Sequence, residues 1–474
     1  MIMRSPRMTW RYGCGLPVLA AAWVLGCSGG SHSSVATSTS TSTSTSTSAN
    51  YSQTGGSATL SGETYSSTSA DQNAVKVADS GTLALTGATI TKSGDTASED
   101  NSNFLGINSG VLASVAASET APATATTGST ITLTDCSITT AADGANAAFA
   151  YGNGSTIVLA NCTISTTGDS SRGVDATYLG AVTLSDTTIT TAGAHCAALA
   201  SDRGNGIIRA TDCTGTTAGQ GSPGIYSTGT FLIKGGTYLA KGSEAAVIEG
   251  LNSISATDVS LTGTVKHGVM IYQSNSGDSY TGVGVFTMTN GSLTSNDASG
   301  PLFRVCNTSG VVTLTGVTLT SASGVLLLAQ APSASDSNTN TSWGSLGGQV
   351  AFTASGQTLP GNIVCDASSS VAMTLQATST LTGAVNLADT GSVALTLDST
   401  SRWTATSDSY LQTLSGVVFA GGTPANVDAA SGITIHCKSM TNSAGSAVTG
   451  SFTLASGGSL VQRVFPAGVR EPVG

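Results

Sequence analysis

The residues of this chain that could act on a ligand lie just after a recurring apolar strand. Asp202 and Arg203 follow Leu199, Glu249 follows Val247, Tyr272 and Gln273 follow Val269, and Arg304 follows Leu302. Strands stacked in register would gather these carboxylate, guanidinium, phenol and amide groups into one polar stripe across neighbouring repeats. Such a stripe suits the hydroxyls of a carbohydrate. Its carboxylates could also supply acid/base chemistry at a glycosidic bond. The plainer reading is a row of solvated or mutually satisfied side chains with no ligand.

Other constellations carry less chemistry. The histidines are His32, His195, His267 and His436. His195 and His267 precede aligned strands but sit about three coils apart, roughly 14 Å, which is too far for one metal. Asp175, Asp278 and Asp366 are too separated along the coils for a calcium cage. No Cys-x-x-Cys pair and no Cys/His cluster of zinc spacing occurs. No phosphate loop, dinucleotide fingerprint or Gly-x-Ser-x-Gly elbow stands between a strand and a helix. No metal and no cofactor are therefore expected. Cys136 and Cys162 share one position in consecutive repeats, and Cys213 takes it two repeats later. Two readings stand for the first pair: a disulfide in an oxidising compartment, or free buried thiols.

The elements that must position the stripe are read from the repeat. A first apolar strand aligns at Val75, Val111, Phe149, Val174, Leu199, Ile225, Val247, Val269, Leu302 and Val325. From Phe149 to Val269 the steps are roughly 22–26 residues. Longer steps contain polar insertions, among them Ser98 to Asn103 and Ser274 to Gly282. A second strand alternates strictly, as in Thr156-Ile157-Val158-Leu159, so one face is buried and one is wet. A column of Gly87, Asp135, Asn161, Asp186, Asp212, Gly235, Asp258, Asn290 and Gly316 follows it. These residue types tolerate left-handed backbone angles and mark one tight corner per repeat. A third short apolar element comes next, as in Thr163-Ile164. The pattern predicts an all-β right-handed parallel β-helix over residues 51–345, with looser coils and a β cap over 346–474.

Composition agrees with that class. Of 474 residues only 9% are charged and 5% aromatic, and 59 are glycine. Small β-formers can still bury a core. The net charge of −10 leaves no basic patch for nucleic acid. At the N-terminus Arg4, Arg7 and Arg11 precede a short apolar run, Gly15 to Leu25, as in an export signal over residues 1–26. Residues 27–50 are almost all Ser, Thr, Gly and Ala and read as a flexible tether.

Two resemblances add to this. Val24-Leu25-Gly26-Cys27 resembles a bacterial lipobox, which implies acyl chains on Cys27, and Ser28 rather than Asp after it permits sorting to the outer membrane. The stretch from Gly391 through Trp403 to Leu411 resembles the end of pertactin-like autotransporter passengers, where a Ser-x-Trp element precedes the terminal coils. The remainder resembles adhesin-like β-helix surface proteins. No room follows for a translocating β-barrel, so self-secretion is not expected and a lipid anchor would replace it. The Asp-Asp and Gly-His-Gly signature of β-helix polygalacturonases is missing, as are the Asp and Arg/Lys sets of pectate lyases. The expected function is that of a lipid-anchored surface protein with an adhesive, structural or glycan-contacting role and a glycan or cell-surface protein as partner. The alternative is a β-helix polysaccharide lyase or glycoside hydrolase.

Overall fold

The computed structural model describes residues 47–48, 50–116, 127–333 and 343–463. The export segment, Cys27 and most of the tether lie outside the described residues. Thr47–Ser48, at the tether's end, already pairs with Thr64 and Tyr65.

From Tyr51 to Thr382 each coil lays down three short strands. One coil comprises Val174–Thr177, Ala181–Ser185 and Thr188–Thr191. Each strand pairs in parallel with its equivalent in the coils before and after. Three sheets result. The first strands build twelve rungs and the third strands eleven. The second strands run from Ser57–Ser61 to Ser459–Gln462. The fold is a right-handed parallel β-helix, as the repeat predicts.

The corner column behaves as its chemistry requires. All nine positions, from Gly87 (φ 62°) through Asp186 (48°) to Gly316 (63°), have positive φ. The second strands alternate as expected: in Thr156–Ala160, Ile157 and Leu159 are buried while the residues between them are half-exposed. Cys136, Cys162 and Cys213 follow the corner and are free, buried thiols. The disulfide reading of Cys136 and Cys162 is therefore not the one this structure takes.

The first strands depart from the expected pattern. Ala148–Tyr151, Val174–Thr177, Ala246–Glu249, Val269–Tyr272 and Phe303–Cys306 are buried at every residue. Their inner face joins the main core. Their outer face is covered by a second apolar layer. Leu112, Phe149 and Tyr151 pack there with Leu105, and Val247, Met270, Tyr272 and Cys306 pack with Tyr226 and Trp343. The register corrects the sequence alignment at four strands: Phe303, not Leu302, pairs with Val269, Leu327, not Val325, pairs with Phe303, and two more strands shift by one residue. Ala148, not Phe149, pairs with Val174, and Ala246, not Val247, pairs with Val269. A slip of one residue turns a side chain to the opposite face. Phe149 and Val247 therefore belong to the outer layer.

Part of that layer is a helix absent from the sequence reading, α1 (Glu99–Leu105). It lies in the insertion after the second described coil. The Ser98 side chain accepts from the Asn101 N–H at 3.3 Å, Glu99 and Asp100 occupy the first turn, and Gly106 ends it at φ 69°. Cap, dipole and left-handed stop all act locally. Seven residues lacked the periodicity to reveal it.

Beyond Ser321 a four-stranded sheet, from Thr358–Pro360 to Val427–Ala429, follows in the third-strand position. Trp403 in this sheet is fully buried, and its indole N–H donates to the Gly383 carbonyl at 3.0 Å. Ser451–Thr453 then pairs antiparallel with Ser459–Gln462. An antiparallel strand at the last rung blocks further parallel addition to that edge.

Candidate functional site

The outer layer over the first-strand sheet is interrupted by a cleft of about 470 Å³. Helix α1 contributes Glu99, Asn103 and Phe104 to its wall, and the polar insertion contributes Asp278. The sheet contributes Asp202, Tyr226, Val247, Met270 and Tyr272. Glu249 lines an adjoining recess together with Tyr226, Tyr272, Ser274 and Trp343. The two insertions that the repeat sets apart therefore shape a groove.

At one end stands Arg172, buried in the turn before its first strand. Its Nε lies 2.9 Å from the Asp202 carboxylate, and its Nη1 donates to Asn103 Oδ1 at 2.5 Å and to the Ser170 carbonyl at 2.9 Å. One guanidinium thus ties the helix to the sheet. Behind Asp202 lies Asp175, wholly buried, with no hydrogen-bond donor on either carboxyl oxygen. Burial first, and the Asp202 charge second, raise the Asp175 carboxyl well above the usual carboxylate range, against the pull of Arg172. The pair therefore favours one neutral acid beside one carboxylate.

That shift has a consequence for stability. A carboxyl whose folded pKa is raised contributes fully below its unfolded value near 3.8. The contribution is lost as pH rises through the folded value. Asp175→Asn mimics the neutral acid at every pH. The variant will exceed wild type in stability at pH 7 by on the order of 1–3 kcal/mol, and the gap will close toward pH 4. Urea midpoints at the two pH values check this, and a wild type at least as stable at pH 7 refutes it.

Two coils further on, Glu249 sits in a nest of hydroxyls. Tyr226 Oη donates to Glu249 Oε2 at 2.7 Å and Tyr272 Oη to the same oxygen at 2.8 Å. Ser274 Oγ donates to Glu249 Oε1, with Ser276 Oγ at 3.4 Å. Burial and then the Glu249 charge raise both phenols well above their ordinary value, so they remain donors. The Tyr272 ring lies 4.5 Å from the Trp343 ring at 34°. The register explains the meeting of Glu249 and Tyr272, which are direct partners on adjacent rungs.

The remaining expected site residues divide. Arg203 pairs with Asp278, its Nε donating to Oδ1 at 3.0 Å, and its guanidinium covers the Phe104 ring at 3.7 Å. It braces the insertion against α1. Gln273 donates to the Ser274 carbonyl at 3.0 Å and supports the same insertion without lining the cleft. Arg304 is outside the cleft. It pairs in register with Met270, two residues before the Glu249–Tyr272–Cys306 row, and donates to the carbonyls of Gln330 (2.9 Å) and Ala331 (3.0 Å). It acts as a clip for the following coil.

No family model, curated protein or solved structure matches this chain. The site is therefore read from its own geometry. Among the described residues no cluster of His, Cys, Asp and Glu could hold a metal ion. Sequence reasoning missed Arg172, Asp175 as a partner of Asp202, Tyr226, Glu244 and Trp343. Asp175 carried a signal, because a charge inside a first strand requires a covered outer face. Trp343 carried none, since it reaches Tyr272 from a segment 71 positions later.

Proposed function

We propose that this protein is exported, held at the cell surface by lipid on Cys27, and binds a glycan in the cleft beside α1. The observation that carries the reading is the lining itself. Buried carboxylates, phenols and a guanidinium converge beside the aromatic faces of Tyr272 and Trp343. Sugars present hydroxyl edges to charged hydrogen-bonding groups and apolar faces to aromatic rings, so this mixture suits them. The rigid rod and the Ser/Thr-rich tether would carry the cleft away from the membrane, consistent with adhesion.

A second reading, glycoside hydrolysis, is favoured by one arrangement. Asp202 and Glu249 stand two rungs apart, roughly 9.5 Å along the axis, the upper end of the separation that leaves room for a water in an inverting pair. Binding is the more direct reading because it needs no proton transfer.

The test is capture of immobilised glycans by intact cells and by the purified protein. Saturable capture is expected, with a loss of about a hundredfold in affinity in Asp202→Ala/Glu249→Ala, the size of removing a central anchor. Cys27→Ala should move the capture activity from the cells to the medium. Undiminished capture by the double variant would place the activity elsewhere on the rod.

A further inference from the structure

We infer that the recess around Glu249 is a subsite for a positively charged amino group, so that the cleft takes a glycan with free amino sugars and refuses a polyuronate. The inference deepens the glycan-binding reading and rests on it.

The first observation is a charge left over. Of the four other carboxylates lining the cleft, three each have a cation: Asp202 has Arg172, Asp278 has Arg203, and Glu244 has Lys266 at 3.5 Å; the fourth, Glu99, is exposed to water and accepts from the Ser170 hydroxyl. Glu249 is fully buried, and its polar contacts are the hydroxyls of Tyr226, Tyr272, Ser274 and Ser276. No lysine or arginine among the described residues forms an ion pair with it. Hydroxyl dipoles offset only part of the cost of burying a carboxylate. An entering ammonium would supply the missing charge.

The second observation is aromatic. Tyr226 and Trp343 pack with Tyr272 in the same small cluster, and all three line the recess beside Glu249. Ring faces next to a carboxylate attract organic cations, more strongly when water is excluded. A polyuronate meets the reverse situation. Its carboxylates would approach Glu249, and Arg172 and Lys266, which line the cleft, are already engaged by carboxylates of the protein.

An organic ammonium can come from an amino sugar or from a free amine. The amino sugar fits because the cleft continues from the recess to Asp202, Glu244 and Lys266, groups that hydrogen-bond ring hydroxyls and that a small amine would not reach.

The experiment is calorimetric titration of the whole chain, purified in detergent. The probes are a glucosamine tetramer, its fully N-acetylated form, a galacturonic acid tetramer and choline. The glucosamine tetramer should bind about tenfold or more tightly than the N-acetylated form, a difference of about 1.4 kcal/mol. The galacturonic acid tetramer should not bind. Glu249→Gln should erase the preference, bringing the glucosamine tetramer and its N-acetylated form to the same affinity. Trp343→Ala, at a half-exposed position, should weaken the glucosamine tetramer without threatening the fold. Equal affinity for the two glucosamine forms overturns the inference and leaves the glycan reading intact. Choline binding as tightly as the tetramer overturns the amino-sugar assignment. Binding of no sugar at all removes both.

Discussion

Arg172→Met will destabilise the protein by about 3–5 kcal/mol, because it leaves the buried Asp202 carboxylate without its cation. The side chains of the pair are only 11% and 7% exposed, so water cannot replace the lost partner. Asp175 makes the loss worse. It lies behind Asp202 with no hydrogen-bond donor of its own, and Arg172 is the positive charge that favours either carboxylate. The same arginine holds Asn103 on α1. Its removal should therefore loosen the helix and abolish glycan capture together. Urea unfolding provides the measurement. Arg172→Met/Asp202→Asn should recover much of the loss, since it removes both charges rather than one. A loss under about 1 kcal/mol for the single variant would mean that the pair is hydrated and that the cleft end is open.

Gly219→Ala will cost roughly 3 kcal/mol or more, which is the overpacking penalty when the obstacle is backbone. Gly168, Gly193, Gly219 and Gly242 occupy one corner in successive coils. A Cβ on Gly219 would stand 1.8 Å from the Gly193 carbonyl oxygen, and on Gly193 2.0 Å from that of Gly168. Real Cβ atoms essentially never approach within 3.0 Å. Replacing glycine by alanine normally stabilises by about 0.4–1 kcal/mol through the unfolded chain. Here the clash outweighs that gain, because the obstructing carbonyl belongs to the neighbouring coil and cannot swing aside. A thermal midpoint equal to or above wild type would refute the argument.

The site was partly legible in the sequence. Asp202, Glu249 and Tyr272 follow their strands at matching offsets, and stacking does bring them to one side. Gln273 and Arg304 also follow their strands closely but do not reach the same place. Gln273 turns into the insertion, and Arg304 lies two positions away from the row of Glu249 and Tyr272. Counting from Leu302 rather than Phe303 concealed that difference. The alignment of Phe149 and Val247 failed for the same reason. Both faces of these strands are buried, so the alternation that sets phase on the second strands is missing from the first.

What the sequence determined by itself is the coil: its length, its alternating second strand and its left-handed corner. Each depends on local chemistry, and the nine corner residues from Gly87 to Gly316 show that chemistry in their own backbone angles. What only the tertiary structure decided is the cleft. Arg172 meets Asn103 across 69 positions of chain, Arg203 meets Asp278 across 75, and Trp343 reaches Tyr272. Those meetings arise because two insertions fold back over the outer face of a sheet and bury it. Burial of that face removes the periodic signal and, by excluding water, makes the charges beneath it consequential.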